Sequence, residues 1–111
     1  MDDLIDRNDA TALAALVARR EVTPSELLQA AIARADATAA LNHTPIRFDD
    51  VARARAAAPL GGPFAGVPFL LKDIGQEYAG QKHTAAAAPP TATGWPSRTA
   101  LTCKDASMPA W

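Results

Sequence analysis

The 111-residue sequence has one cysteine, Cys103, and that scarcity excludes an internal disulfide framework and any metal site built from several thiolates. It also lacks an excess of either charge. Its 11 basic and 12 acidic residues are scattered and leave a formal net charge of -1, so neither nucleic acid nor an anionic membrane finds an electrostatic footprint. No run approaches the roughly 20 apolar residues of a membrane span, and the acidic start "MDDLIDRNDA" lacks the basic-then-apolar pattern of an export signal. The expectation is a reducing, cytoplasmic setting without nucleic-acid or membrane partners. Glycines 61, 62 and 66 form neither GxGxxG nor a phosphate loop, because no helix start follows at the required offset; loop geometry accounts for them. A chain this short fits one small domain or a piece of a larger one, and is short for a complete α/β enzyme.

What the sequence does contain begins with helix signals. Residues 9–20, "DATALAALVARR", put Leu13, Leu16 and Val17 at i, i+3, i+4 spacing with arginines at the end, where cations suit a helix C-terminus. In "VTPSELLQAAIARADATAAL", Thr23 can cap, Pro24 takes the first helical position and Glu26 completes a Thr-x-x-Glu capping box. This second helix, over 24–38, carries the apolar stripe Leu27, Leu28, Ala31, Ile32 and Ala35, leaving Gln29 and Arg34 for the wet face.

After the turn "LNHTP", Ile46, Arg47 and Phe48 alternate and suggest a short strand. Asp49 or Asp50 can then cap a helix through "VARARAAA", which stops at Pro59. The run "VPFLLKDI" reads as a short strand buried on both faces, because its apolar residues are consecutive. Helices leading into a buried strand imply an α/β fold. From Thr84 onward four prolines, both tryptophans and Cys103 occur without any period of 3.6 or 2, so residues 85–111 are expected to form an irregular tail without core elements.

Lys72 ends the apolar run. A lysine acts as a base near neutral pH only where burial or a nearby cation favours its neutral form, and the approach from Val67 to Leu71 offers burial. Strand-end lysines also snorkel their ammonium to water, so the pattern alone leaves both readings open. Asp73 can hold the loop through an Asx-type hydrogen bond, cap the next element of the chain or pair with a cation. His43 and His83 show no paired-ligand spacing, so neither is assigned a metal. Cys103 has no histidine close in sequence and reads as an incidental thiol. Ser25 sits in the capping box, and Ser97 and Ser107 lack a glycine-rich frame, so none reads as an activated nucleophile.

The residues "GPFAGVPFLLKDI", with Gly66-Val67-Pro68 followed by Leu71-Lys72-Asp73, resemble the lysine strand of the amidase signature family. Upstream, "TALAALVARREVTPSELLQAAIARADATAALNHTPIRF" is similar to that family's opening: a short helix, an E-v-T-s-x-E-L helix start and an L-N-a turn before a strand. The resemblance covers about residues 8–84. Within the family, the wording "GPFAGVPFLLKD" is particularly similar to the hydrolases that open 6-aminohexanoate cyclic amides, and related bacterial amidases share it.

The resemblance implies a large α/β enzyme with a mixed central sheet, whose N-terminal helices and first strand would be carried by residues 1–84. It implies a Ser–cis-Ser–Lys triad that hydrolyses the C–N bond of small carboxamides without metal or cofactor, with Lys72 matching the base; Asp73 beside it is a supporting candidate from its own chemistry. The family's serines lie downstream, in and near a Gly-Gly-Ser-Ser-Gly-Gly type loop, and no such stretch occurs here. The chain is therefore expected to be inactive by itself. Out-of-frame reading of a GC-rich gene would produce the abrupt switch near Thr84, and sequencing through codon 84 for a resumed glycine-serine motif tests that. A reading of a different class is a small non-catalytic helical module that binds a partner through the helices at 9–20 and 24–38.

Overall fold

The computed structural model describes residues 2–44, 46–74, 78, 79 and 81. They divide into two compact units, one running as far as Phe69 and one beginning at Leu70. The first unit is helical, with α1 (Asp2–Arg7), α2 (Ala10–Ala18), α3 (Pro24–Ala37), a single 3-10 turn (Ala39–Leu41) and α4 (Asp49–Ala57).

Each helix start has a local cause. The Asp9 carboxylate accepts the Ala12 N–H at 2.8 Å and caps α2. At α3 the capping box is complete. Thr23 Oγ1 accepts the Glu26 N–H at 3.2 Å, the Glu26 carboxylate accepts the Thr23 N–H at 2.8 Å, and Pro24 opens the helix. Helix α2 stops short of the predicted Arg20, because its last turn closes in a Schellman motif. The Arg20 N–H bonds to Val17 O, the Glu21 N–H bonds to Leu16 O, and Arg20 itself takes a left-handed φ of 59°. Helix α1 was not anticipated; Asp3 and Arg7 pair across one turn of it at 2.5 Å.

Two apolar clusters hold the unit together, and α3 contributes to both. Leu27 and Leu28 are adjacent in sequence and so point about 100° apart around the helix. Leu27 packs with Leu13, Val22 and Val67, flanked by Leu4, Leu16 and Val17. Leu28 packs with Ile32, Ala35, Ala52 and Ala56. The face that α4 presents is thus Ala52 and Ala56, one turn apart, and their small side chains admit close approach to α3. Polar ties reinforce the helix contacts at the surface: Arg34 to Asp6 of α1 at 2.5 Å, and Arg53 to Gln29 at 2.9 Å.

Two expected strands are corrected. Ile46–Phe48 form no strand: Ile46 sits at a bend, and Arg47 is held by Asp36 at the end of α3 and by Asp49 in the first turn of α4, at 2.6 Å. Neither Asp49 nor Asp50 is the α4 cap residue; Phe48 occupies that position with no side-chain capping hydrogen bond, and both aspartates lie inside the first turn, where they suit the helix dipole. The run 67–74 is likewise not a strand buried on both faces. Phe69 makes an isolated β-bridge, and Leu70 and Ile74 are 53% and 55% exposed. A strand is fixed by a run of ladder bonds to a neighbour, and the described residues contain no strand, so the α/β expectation is met there only in its helices. The predicted tail 85–111 lies outside the described residues.

Candidate functional site

The route to Lys72 begins at a tight turn over residues 62–66. Gly62 and Gly66 take φ values of 94° and 84°, the Ala65 N–H bonds to Gly62 O at 3.3 Å, and the Val67 N–H bonds to Phe64 O at 3.1 Å. Left-handed backbone of this kind suits glycine. The turn delivers Val67 into the cluster around Leu27, where it is buried. Five residues further along the chain stands Lys72, exposed, followed by the half-buried Asp73; both lie in the unit that begins at Leu70. Of the two readings the apolar run leaves open for the lysine, burial and reach to water, the described residues show it exposed.

The other residues weighed from sequence do not converge. Ser25 is exposed in the first turn of α3. His43 is exposed, with Nε2 2.6 Å from Thr38 Oγ1, and that hydroxyl also donates to Arg34 O at 2.7 Å; this arrangement finishes α3. His83, Ser97, Cys103 and Ser107 lie outside the described residues. Among the described residues no group of three or more His, Cys, Asp or Glu is placed to hold a metal ion, and no helix is long and apolar enough to cross a membrane.

Electrostatics follow the caps and latches. The Thr23 backbone N–H, and then its hydroxyl, hold the Glu26 carboxyl below the usual carboxylate range. Asp49 first and Asp36 second stabilise the Arg47 guanidinium and raise its pKa further. An open cleft of about 450 Å³ beside α1 is lined by Leu4, Leu16 and Val22 with Asp3, Glu21 and Glu26; Lys72 does not line it. The carboxylates there are engaged by Arg7, Arg19 and Thr23 respectively.

No family model matches the chain. Among curated proteins it is 46% identical over 67 residues to the 6-aminohexanoate-cyclic-dimer hydrolase of Pseudomonas sp. (strain NK87), a match covering 60% of this chain and 13% of that protein. It is 40% identical over 86 residues to the lipoamidase of Enterococcus faecalis, covering 71% of this chain and 12% of that protein. The solved structure of 6-aminohexanoate cyclic dimer hydrolase complexed with substrate matches with a TM-score of 0.58 at 38% identity, over 69% of this chain and 16% of that one. This stretch is homologous to the amidase signature hydrolases. The chain spans about an eighth of the length of these curated amidase signature relatives. Its helices have their structural counterpart in an amidase, and the resemblance carried by the Gly66-Val67-Pro68 and Leu71-Lys72-Asp73 wording points to the same family.

Proposed function

We propose that residues 1–84 are the N-terminal portion of an amidase signature hydrolase and that Lys72 is the base of its Ser–cis-Ser–Lys triad. The observation that carries this reading is 46% identity to an amidase over 67 residues in a chain that also contains the family's lysine wording.

In the complete enzyme the 67–74 run would lie in a mixed sheet, whose neighbouring strands would desolvate the lysine amine. The neutral amine takes a proton from a bridging serine. That serine in turn deprotonates the nucleophilic serine as it attacks the carboxamide carbonyl. Backbone donors in the serine-bearing loop stabilise the oxyanion. Protonation of the leaving nitrogen lets the C–N bond break, and water then releases the acid. Asp73 supports the lysine's loop. The substrate is a small-molecule amide, the reaction needs no metal or cofactor, and the setting is cytoplasmic.

A graft tests the reading. Residues 1–74 replace their counterpart in the 6-aminohexanoate-cyclic-dimer hydrolase, and turnover of the cyclic dimer is measured beside the 111-residue chain alone. The expected result is hydrolysis by the graft and none above background by the chain. A folded graft without turnover, or hydrolysis by the chain alone, overturns it.

A further inference from the structure

We infer that Gly66 is a positioning residue for Lys72: the absence of a side chain there lets the 62–66 turn press against α2 and α3 and fixes the point from which the lysine-bearing run departs. This inference rests on the amidase reading of Lys72. A Cβ at position 66 would stand 2.8 Å from Pro24 Cγ, 3.2 Å from Pro24 Cβ and 3.1 Å from Val17 Cγ1. Real Cβ atoms essentially never come as close as the 2.8 Å to Pro24 Cγ, the other two contacts require their neighbours to give by a few tenths of an ångström, and neither neighbour yields readily. Pro24 is a closed ring in the first turn of α3, held behind by the Thr23–Glu26 capping box. Val17 is β-branched, with one strongly preferred rotamer in a helix. The left-handed φ of 84° adds a second demand for glycine at the same position. At Gly61, by contrast, an added Cβ meets nothing within 4 Å.

The consequence runs along the covalent chain. With Gly66 against Pro24, the next residue, Val67, is seated among Leu13, Val22 and Leu27. Lys72 follows five residues later, within a tether of roughly 17 Å at full extension. Moving the anchor by the several tenths of an ångström that a Cβ requires moves the origin of that tether. Displacements of about 1 Å at reacting groups lower rates by roughly 100-fold.

The test uses the grafted hydrolase, with Gly66→Ala, Gly61→Ala, Lys72→Ala and the double variant Gly66→Ala/Pro24→Ala, each assayed well below its own melting temperature. The expected result is a kcat reduced at least about tenfold by Gly66→Ala with KM within about twofold, no change for Gly61→Ala, and partial recovery in the double variant, in which the closest clashing atom is gone. A Gly66→Ala kcat within about twofold of the parent, or a loss shared equally by kcat and 1/KM, overturns the inference. Retained turnover in Lys72→Ala overturns the amidase reading of Lys72 separately. A graft without turnover counts against that reading too, and the anchor is then decided on the full 111-residue chain by hydrogen exchange. Exchange at residues 67–74, referenced to α3 amides, should rise at least about tenfold in Gly66→Ala and not in Gly61→Ala; equal exchange in the two variants contradicts the anchor.

Discussion

Truncating Leu28 to alanine should separate α4 from α3. Leu28 is 1% exposed, and its buried neighbours across the seam are Ala52 and Ala56. Alanine has no rotamers with which to fill the space, so the cavity left by Leu28→Ala stays largely open. Leucine-to-alanine changes in cores cost about 2–5 kcal/mol, and a site that cannot collapse falls toward the upper half of that range, about 3–4 kcal/mol. Two polar ties of this seam, Arg53 to Gln29 and Arg47 to Asp36, are exposed pairs of the kind worth about 0–1 kcal/mol, too little to compensate. At about 4–8 °C per kcal/mol for a domain of this size, the melting temperature should fall by at least about 12 °C. The matched variant Leu27→Ala opens the other cluster, where Leu4 and Leu16 are only partly buried and free to shift inward, so its cost should lie nearer 2 kcal/mol. Because the two leucines are adjacent on α3, the double variant Leu27→Ala/Leu28→Ala should depart from the sum of the single effects by about 0.5 kcal/mol or more. Thermal and urea unfolding followed by far-ultraviolet circular dichroism measures all three variants. A Leu28→Ala melting point within about 3 °C of the parent would refute the assignment of the α3–α4 seam to this side chain.

Four further effects should be measurable in the same chain. Thr23→Ala removes the hydroxyl that caps α3 and should cost about 1 kcal/mol by urea titration. Folding lowers the Glu26 pKa, so its carboxylate stabilises the folded chain above the ordinary carboxylate value and that contribution is lost as pH falls from about 5 downward. Glu26→Gln should therefore flatten the acid limb of a stability-against-pH profile, and an unchanged limb would contradict the capping-box origin of the shift. Arg20→Gly relieves a left-handed non-glycine residue at the end of α2 and should raise stability by up to about 1 kcal/mol in urea titrations. Exposed Leu70 and Ile74 should also make the 111-residue chain self-associate in sedimentation velocity, whereas a clean monomer at high concentration would favour the helical interaction module.

Where the sequence was legible, the signal was local. Thr23, Pro24 and Glu26 announce α3 because a capping box satisfies its own donors without help from the rest of the fold. The stripe of α3 was legible as well, with Leu27, Leu28, Ile32 and Ala35 buried as their spacing requires; Ala30 joins them while Ala31 is only partly covered. The end of α2 is hidden in the sequence because a Schellman turn usually shows glycine and here shows Arg20. Ile46-Arg47-Phe48 alternated like a strand, but Arg47 is drawn between Asp36 and Asp49, a contact eleven residues back along the chain that no short window contains. The 67–74 run misled for the same reason at larger scale: strand identity belongs to a pairing, and consecutive apolar residues announce only the wish to be covered. Gly66 looked like an ordinary loop residue, and only the packing of Pro24 and Val17 against it shows why it carries no side chain.

The central claim, that Lys72 is the base of an amidase triad, is tested most directly by the turnover number of the grafted hydrolase with and without that amine. Cyclic-dimer hydrolysis is measured for the graft and its Lys72→Ala variant under identical conditions, with folding checked by circular dichroism. Removing the base should lower kcat by roughly 10³-fold or more, because triad members act as a unit. A Lys72→Ala graft that turns over within about tenfold of its parent would contradict the assignment.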